Sequence, residues 1–163
     1  LLHNALHDPL TDLPNRILVL ERLEFLSKQS VTNFALLLFD LNRFKLINDG
    51  LGHLTGDRVL QELVLRLSQI IGTSMLARIG GDEFVFIFDA MTEAEVLAAL
   101  DVLKRRCAEF AHTTAGKQLY PSAAVGYAMH PPDSVALDAS IAAADARMYE
   151  AKAHMKKRRT DPV

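Results

Sequence analysis

Tryptophan is missing from this 163-residue chain, and cysteine occurs once, as Cys107. A single thiol excludes an internal disulfide and fits a reducing, cytoplasmic setting. Cys107 falls on the apolar side of a helical pattern, where a buried, inert thiol is expected. Half of the residues are hydrophobic, yet no run approaches the roughly 20 apolar residues of a membrane span. No signal-peptide pattern, internal repeat or low-complexity segment is present. Strong net charge is lacking as well, because 18 basic and 20 acidic residues leave −2. Five of the basic residues, Lys152, Lys156, Lys157, Arg158 and Arg159, lie close together near the C-terminus. The rest of the chain is therefore acidic, which argues against a broad nucleic-acid surface. The basic end is either a solvated helix end or a holder of one small phosphate-rich ligand.

The length fits one domain with its own core. The opening Leu1-Leu2, with no initiator Met, reads as a piece of a longer protein, and membrane tethering of that parent is left open. Residues 1–8 read as the end of a helical linker, 9–158 as the domain and 159–163 as a tail. Asp8 to Asn15 is dense in turn signals. Ile17, Leu20, Leu23 and Leu26 have helical spacing, starting from Asn15 or Arg16. Asn33 to Phe39 reads as a buried strand ending at Asp40. A short helical piece spans Phe44 to Asn48, with a break at Asp49-Gly50. A second helix, carrying Val59, Leu60, Leu63, Val64, Leu67, Ile70 and Ile71 at 3.6-residue spacing, stops at Gly72.

Met75 to Ile79 and Phe84 to Phe88 form a predicted hairpin around Gly80-Gly81, where both glycines are expected at positive φ. Thr92 and Glu95 make a capping box for a helix burying Val96, Leu100, Leu103, Cys107 and Phe110. Leu119 to Met129 holds a strand or a pair of strands, with Gly126 inside. Pro131-Pro132-Asp133 breaks the chain before an alanine-rich helix over 138–153. The order is βαββαβ, an α+β, ferredoxin-like arrangement with a sheet rich in antiparallel pairs and flanked by helices. In that topology the first strand lies centrally and antiparallel to the third. Asp40 then meets the hairpin carrying Asp82 and Glu83.

Taken singly, an Asp at a strand end serves as a turn residue, and Gly-Gly-Asp makes an ordinary hairpin. Their convergence on one rim changes the chemistry. Two carboxylates about 4 Å apart repel by roughly 4 kcal/mol at an effective dielectric near 20, and one would take up a proton. A divalent cation reverses that sign, and hard Mg²⁺ favours such oxygens together with a substrate phosphate. Metal-assisted phosphoryl or nucleotidyl transfer is the first chemistry this implies. A turn following Asp40 aims backbone N–H groups at the neighbourhood of the ion. Asn48 and Asp57 are short polar groups near helix starts; capping is one reading, above all for Asp57. The other is guanine recognition, with Asp accepting from N1–H and the 2-amino group and Asn addressing O6 or N3. His53 reads first as a structural histidine.

Four stretches in order resemble the GGDEF family of diguanylate cyclases across nearly the whole chain. They are His7 to Arg16, Asp40 to Asp57, Arg78 to Phe84 and Ala144 to Lys152. The resemblance implies a palm-type, nucleotide cyclase-like fold. It also implies condensation of two GTP into cyclic di-GMP with loss of pyrophosphate, by two domains meeting face to face. Asp40, the Leu41 carbonyl, Asp82 and Glu83 would hold Mg²⁺ (or Mn²⁺), and Asp82 or Glu83 would assist loss of the 3′-hydroxyl proton. Asn48 and Asp57 would read guanine, with His53 lining the nucleoside pocket. Backbone from Asn42 through Phe44 to Lys45 would cradle phosphates, with Gly80 and Gly81 beside the substrate and Lys152 and Lys156 reaching the terminal phosphates.

Departures carry expectations of their own. Lys156 stands where the family usually has an arginine, which keeps charge but loses the bidentate fork. Asn42 replaces a second Asp, which leaves the metal ligands intact. Ile71 and Ser74 occupy the positions of an inhibitory product site, so no product inhibition through that site is expected. The alternative function is a catalytically weak GTP-binding module that controls an adjacent domain, such as a cyclic di-GMP phosphodiesterase, under an upstream sensor. A fold used only for protein contacts is the third reading.

Overall fold

The structure is a computed structural model and describes residues 1–29, 33–42, 44–70, 75–109, 112–114, 117–119, 122–131 and 136–160. For Asn42, Lys45, Lys152 and Lys156, among others, only the backbone is described. The elements are α1 (Leu2–Leu6), α2 (Arg16–Ser27), β1 (Phe34–Asn42), α3 (Phe44–Leu51), α4 (His53–Ile70), β2 (Met75–Arg78), β3 (Glu83–Asp89), α5 (Glu93–Glu109), β4 (His112–Thr114), β5 (Lys117–Leu119), β6 (Ser122–His130) and α6 (Leu137–Thr160). No helix among the described residues is long and apolar enough to cross a membrane.

The main sheet runs β2-β3-β1-β6, and every neighbouring pair is antiparallel. This is the strand order expected of a βαββαβ core with the first strand inside. β1 alternates its side chains between two hydrophobic layers, as strand geometry requires. Leu37 and Phe39, with Phe84 and Phe86 of β3, pack on Leu60, Leu63 and Leu67 of α4 and on Val96, Leu100 and Leu103 of α5. Leu36, Leu38, Val85 and Ile87 face the opposite layer, made by Val19, Leu23 and Leu26 of α2 and by Ala144 and Met148 of α6. A strand buried on both faces has no polar alternation, which is why these segments read as continuous apolar runs.

Local signals set several boundaries. The Asn15 side chain accepts from the N–H groups of Ile17 and Leu18 at 3.0 and 3.3 Å and caps α2. Thr92 Oγ1 accepts from the Glu95 N–H at 3.2 Å and opens α5. Cys107 is buried in α5, and its burial pushes the thiol up to about 12, the inert thiol expected of a small core residue.

Other boundaries differ from the sequence reading. α3 continues through Asp49-Gly50, and the chain reverses at Gly52, the one described glycine with positive φ (88°). Gly80 and Gly81 do not adopt positive φ. β1 extends to Asn42, and α6 begins at Leu137 and runs to Thr160. A two-stranded ribbon, β4–β5, precedes β6. Phe110, Gly72, Ile71 and Ser74 lie outside the described residues.

Gly126 is where α6 meets the sheet. A Cβ there would lie 1.8 Å from the Ala144 carbonyl oxygen and 2.9 Å from the Met148 nitrogen. Both obstacles are backbone, so only a shift of the whole helix would make room. Gly126→Val is therefore expected to destabilise the domain by about 3 kcal/mol, read as a lower urea midpoint. A midpoint within error of wild type would contradict this packing.

Candidate active site

The site begins with strand register. In the β1–β3 ladder Asp40 stands directly opposite Glu83, and the Leu41 N–H donates to the Asp82 carbonyl at 3.2 Å. Opposed residues share one face, with Cβ atoms about 5 Å apart. Asp40 alternates with Phe39 and Glu83 with Phe84, so both acids lie on the α2/α6 side of the sheet. Asp40 is half-buried and its Oδ1 oxygen is fully so. Glu83 folds back, its Oε2 only 3.1 Å from where a Cβ of Gly80 would be. Gly80 is thus open space for the Glu83 carboxylate rather than a left-handed turn residue. Asp82 is half-buried at the bend before β3.

Among the described residues no three His, Cys, Asp or Glu side chains are already gathered as a cation cage. The backbone nevertheless converges, and two like charges directly opposite each other destabilise a ladder unless a cation intervenes. Three carboxylates and a strand-end carbonyl are the hard oxygen donors that Mg²⁺ or Mn²⁺ takes. The donor set fits such an ion.

The hairpin is fixed from outside by Arg78, a residue to which the sequence reading gave no role. Its Nε donates to the Gly80 and Gly81 carbonyls, each at 3.1 Å, and its Nη2 donates to Gly81 at 2.7 Å. Its Nη1 donates to both oxygens of Asp8 at 3.0 and 3.2 Å. Both partners are nearly buried, with side-chain exposures of 14% and 19%. Asp8 also accepts from the Thr11 N–H and hydroxyl at 2.9 and 2.8 Å. The Arg78 N–H donates to the Pro14 carbonyl at 3.0 Å, which docks the Asp8–Asn15 turn on the free edge of β2. Desolvation pushes the Asp8 carboxyl up, but the hydrogen bonds from Thr11 and the Arg78 guanidinium outweigh it. The net result is a carboxyl below its ordinary value of 3.8.

α3 starts directly beyond the end of β1, and α4 returns alongside it after Gly52. Asn48 lies half-buried in the second turn of α3, and its Oδ1 is buried with no hydrogen-bond partner. Asp57 lies half-buried within α4, four residues past its first, so the capping alternative does not hold. His53 opens α4 and is exposed, while Phe44 is buried in the core beneath α4. Lys152 and Lys156 belong to the last turns of α6, and Lys45 to the first turn of α3; their side chains lie outside the described residues. A cleft of about 610 Å³ flanks the hairpin, lined by Asn15, Arg16, Arg78, Gly80 and Gly81 among others. Neither Asp40, Asn48 nor Asp57 lines it, so this cleft belongs to the Asp8–Asn15 turn rather than to the acidic rim.

Comparison with known proteins agrees with this architecture. The profile of the family described as "Diguanylate cyclase, GGDEF domain" matches residues 5–158. The bifunctional diguanylate cyclase/cyclic di-GMP phosphodiesterase MucR of Pseudomonas aeruginosa is 36% identical over 156 residues, covering 93% of this chain and 23% of that protein. Diguanylate cyclase DgcN of Escherichia coli is 38% identical over 156 residues, covering 93% of this chain and 38% of that protein. The chain thus spans well under half the length of these curated relatives. The crystal structure of a sensory box/GGDEF family protein from Caulobacter crescentus superimposes with a TM-score of 0.79 at 32% identity, covering 91% of this chain and 99% of that one. The chain belongs to the GGDEF family.

The Arg78–Asp8 pair gives two measurable consequences. Arg78→Ala should cost about 2–3 kcal/mol in urea unfolding, since it strands a nearly buried carboxylate and two carbonyls. A depressed carboxyl contributes stability that is fully present above its unfolded value and lost as pH falls through the folded one. Unfolding midpoints of wild type should therefore fall more steeply below pH 3.8 than those of Asp8→Asn. Parallel acid limbs would contradict the pairing.

Proposed function

We propose that this GGDEF domain is a diguanylate cyclase that condenses two GTP into cyclic di-GMP, working as a face-to-face homodimer with Mg²⁺. The observation that carries the reading is the register pairing of Asp40 with Glu83 at a rim beside Asp82. Asp40, the Leu41 carbonyl, Asp82 and Glu83 would hold the ion. When bound, a divalent ion offsets the charge of the triphosphate and of the carboxylates around it.

Each domain would hold one GTP across its rim. The 3′-hydroxyl oxygen of one GTP attacks the α-phosphorus of the other, forming the new phosphodiester. The bond from that phosphorus to the bridging oxygen breaks, and the electron pair leaves with pyrophosphate. The 3′-hydroxyl proton passes to a carboxylate of the Asp82/Glu83 pair. The reciprocal attack closes the ring, and two pyrophosphates are released. Since each domain would hold one GTP and the product joins two, two domains must meet.

The protein's contribution is mostly positioning. Asn48 and Asp57, on the two helices that meet at Gly52, suit a guanine edge, and His53 is accessible at the start of α4. The first N–H groups of α3 suit a phosphate at the strand end. α6 starts beyond the far end of β6 and runs back along it, a course on which Lys152 and Lys156 would approach the rim end. Lys156 offers a point charge where a guanidinium fork would bind two oxygens. That substitution favours a second reading, a slow GTP-binding module regulating a neighbouring domain.

Purified protein incubated with GTP and Mg²⁺ should yield cyclic di-GMP and pyrophosphate, and activity should rise with protein concentration as dimers form. Asp82→Ala and Glu83→Ala should each lose at least about 100-fold in kcat. Unimpaired variants would overturn the rim as the reacting centre, and tight GTP binding without turnover in forced dimers would favour the regulatory module.

A further inference from the structure

Gly56 sits buried in the first turn of the 18-residue helix α4. Glycine is among the poorest helix formers, so its place there needs a reason. A Cβ on residue 56 would lie 1.7 Å from Asn48 Oδ1, 2.9 Å from Asn48 Cγ and 3.3 Å from Phe44 Cζ. The Phe44 ring could yield the few tenths of an ångström that its contact asks. The Asn48 carboxamide would have to leave its present position altogether, because its oxygen occupies the volume the Cβ would fill.

We infer that Gly56 is a positioning residue that seats the Asn48 carboxamide and fixes which end of it addresses the base. The Asn48 oxygen is buried and without a hydrogen-bond partner, lying over the Gly56 Cα, whose C–H groups are weak donors. The planar geometry of the amide then directs Nδ2 away from Gly56. Its two N–H donors are left for a ligand. Reversing the amide would press both donors against a C–H surface and present an acceptor instead.

Two further features hold the seat. The Gly52 N–H donates to the Asn48 carbonyl at 2.9 Å, and the Gly56 N–H donates to the Gly52 carbonyl at 3.2 Å. The α3–α4 corner is therefore closed on both sides of the side chain. Asp57 follows directly and brings a carboxylate to the same helix turn. Donors from Asn48 and acceptors from Asp57 make a pair that matches guanine, which offers O6 and N3 as acceptors and N1–H and the 2-amino group as donors. Adenine offers no donor at N1. This inference rests on the guanine-binding reading above and adds the element that sets its polarity.

The test is a double-mutant cycle with wild type, Gly56→Ala, Asn48→Ala and the double variant of the full chain. Two readouts are taken: thermal midpoint without nucleotide, and affinities for GTP and ATP in the presence of Mg²⁺. In the wild-type background Gly56→Ala should lower the midpoint by about 3 °C or more. It should also weaken GTP by about tenfold or more while leaving ATP nearly unchanged. In the Asn48→Ala background the same change should leave the midpoint equal or higher, as helix propensity dictates, with no further loss of GTP. Equal losses in both backgrounds would make Gly56 a packing residue and overturn the inference. A folded Gly56→Ala variant with wild-type GTP affinity would also overturn it. Absence of GTP binding by wild type would instead defeat the nucleotide-site reading, and with it the assigned polarity, while the thermal half of the cycle would still decide the contact.

Discussion

The antiparallel pairing of β1 with β3 is the constraint on which the rest depends. It buries Leu36 to Phe39 against Phe84 to Ile87 on both faces, and the same register then runs on for one more pair, Asp40 with Glu83. A one-residue slip would send every side chain of β1 to the wrong layer, so the core fixes the register and the register fixes the acids. Like charges opposite one another are a cost the apolar pairs can bear. The site is in this sense the polar end of the hydrophobic core.

Two corners stiffen what the ladder begins. Arg78 ties the carbonyls of Gly80 and Gly81 to the nearly buried Asp8, so the hairpin is held by the N-terminal turn as well as by its own strands. The seven-residue strand β3 thus enters the rim from a fixed loop. On the other side, α3 and α4 reverse at Gly52 and close around Asn48. The rim lies between these corners, with α6 running back towards it along β6. A site assembled from strand ends and helix starts is rigid where reacting groups must be placed.

Much of this was legible in the sequence, for physical reasons. Strands buried on both faces announce themselves as apolar runs such as Phe34 to Phe39, and α4 by its clean 3.6-residue spacing. Once strands and helices alternate as βαββαβ, the meeting of Asp40 with the hairpin follows from topology. What was not legible depends on three-dimensional contact. A Gly-Gly pair suggests a tight turn, but here the loop is longer and Gly80 instead makes room for the Glu83 carboxylate. Asp49-Gly50 resembles a helix stop, yet α3 runs on because the reversal is supplied by Gly52. Arg78 and Asp8 are seventy positions apart, and nothing local links them; the only signal was an arginine beside carbonyls that needed donors. Gly56 gave none, since its meaning is the volume left for Asn48.

The central claim is that acids from two different strands share one divalent ion. It is tested most directly by diffraction from crystals of this domain grown with Mn²⁺ and a non-hydrolysable GTP analogue, recorded at the manganese edge. The account predicts an anomalous peak within about 2.5 Å of a carboxylate oxygen of Asp40 and of at least one from Asp82 or Glu83. A peak bound by residues of one strand alone, or nucleotide bound with no ion at this rim, would contradict it.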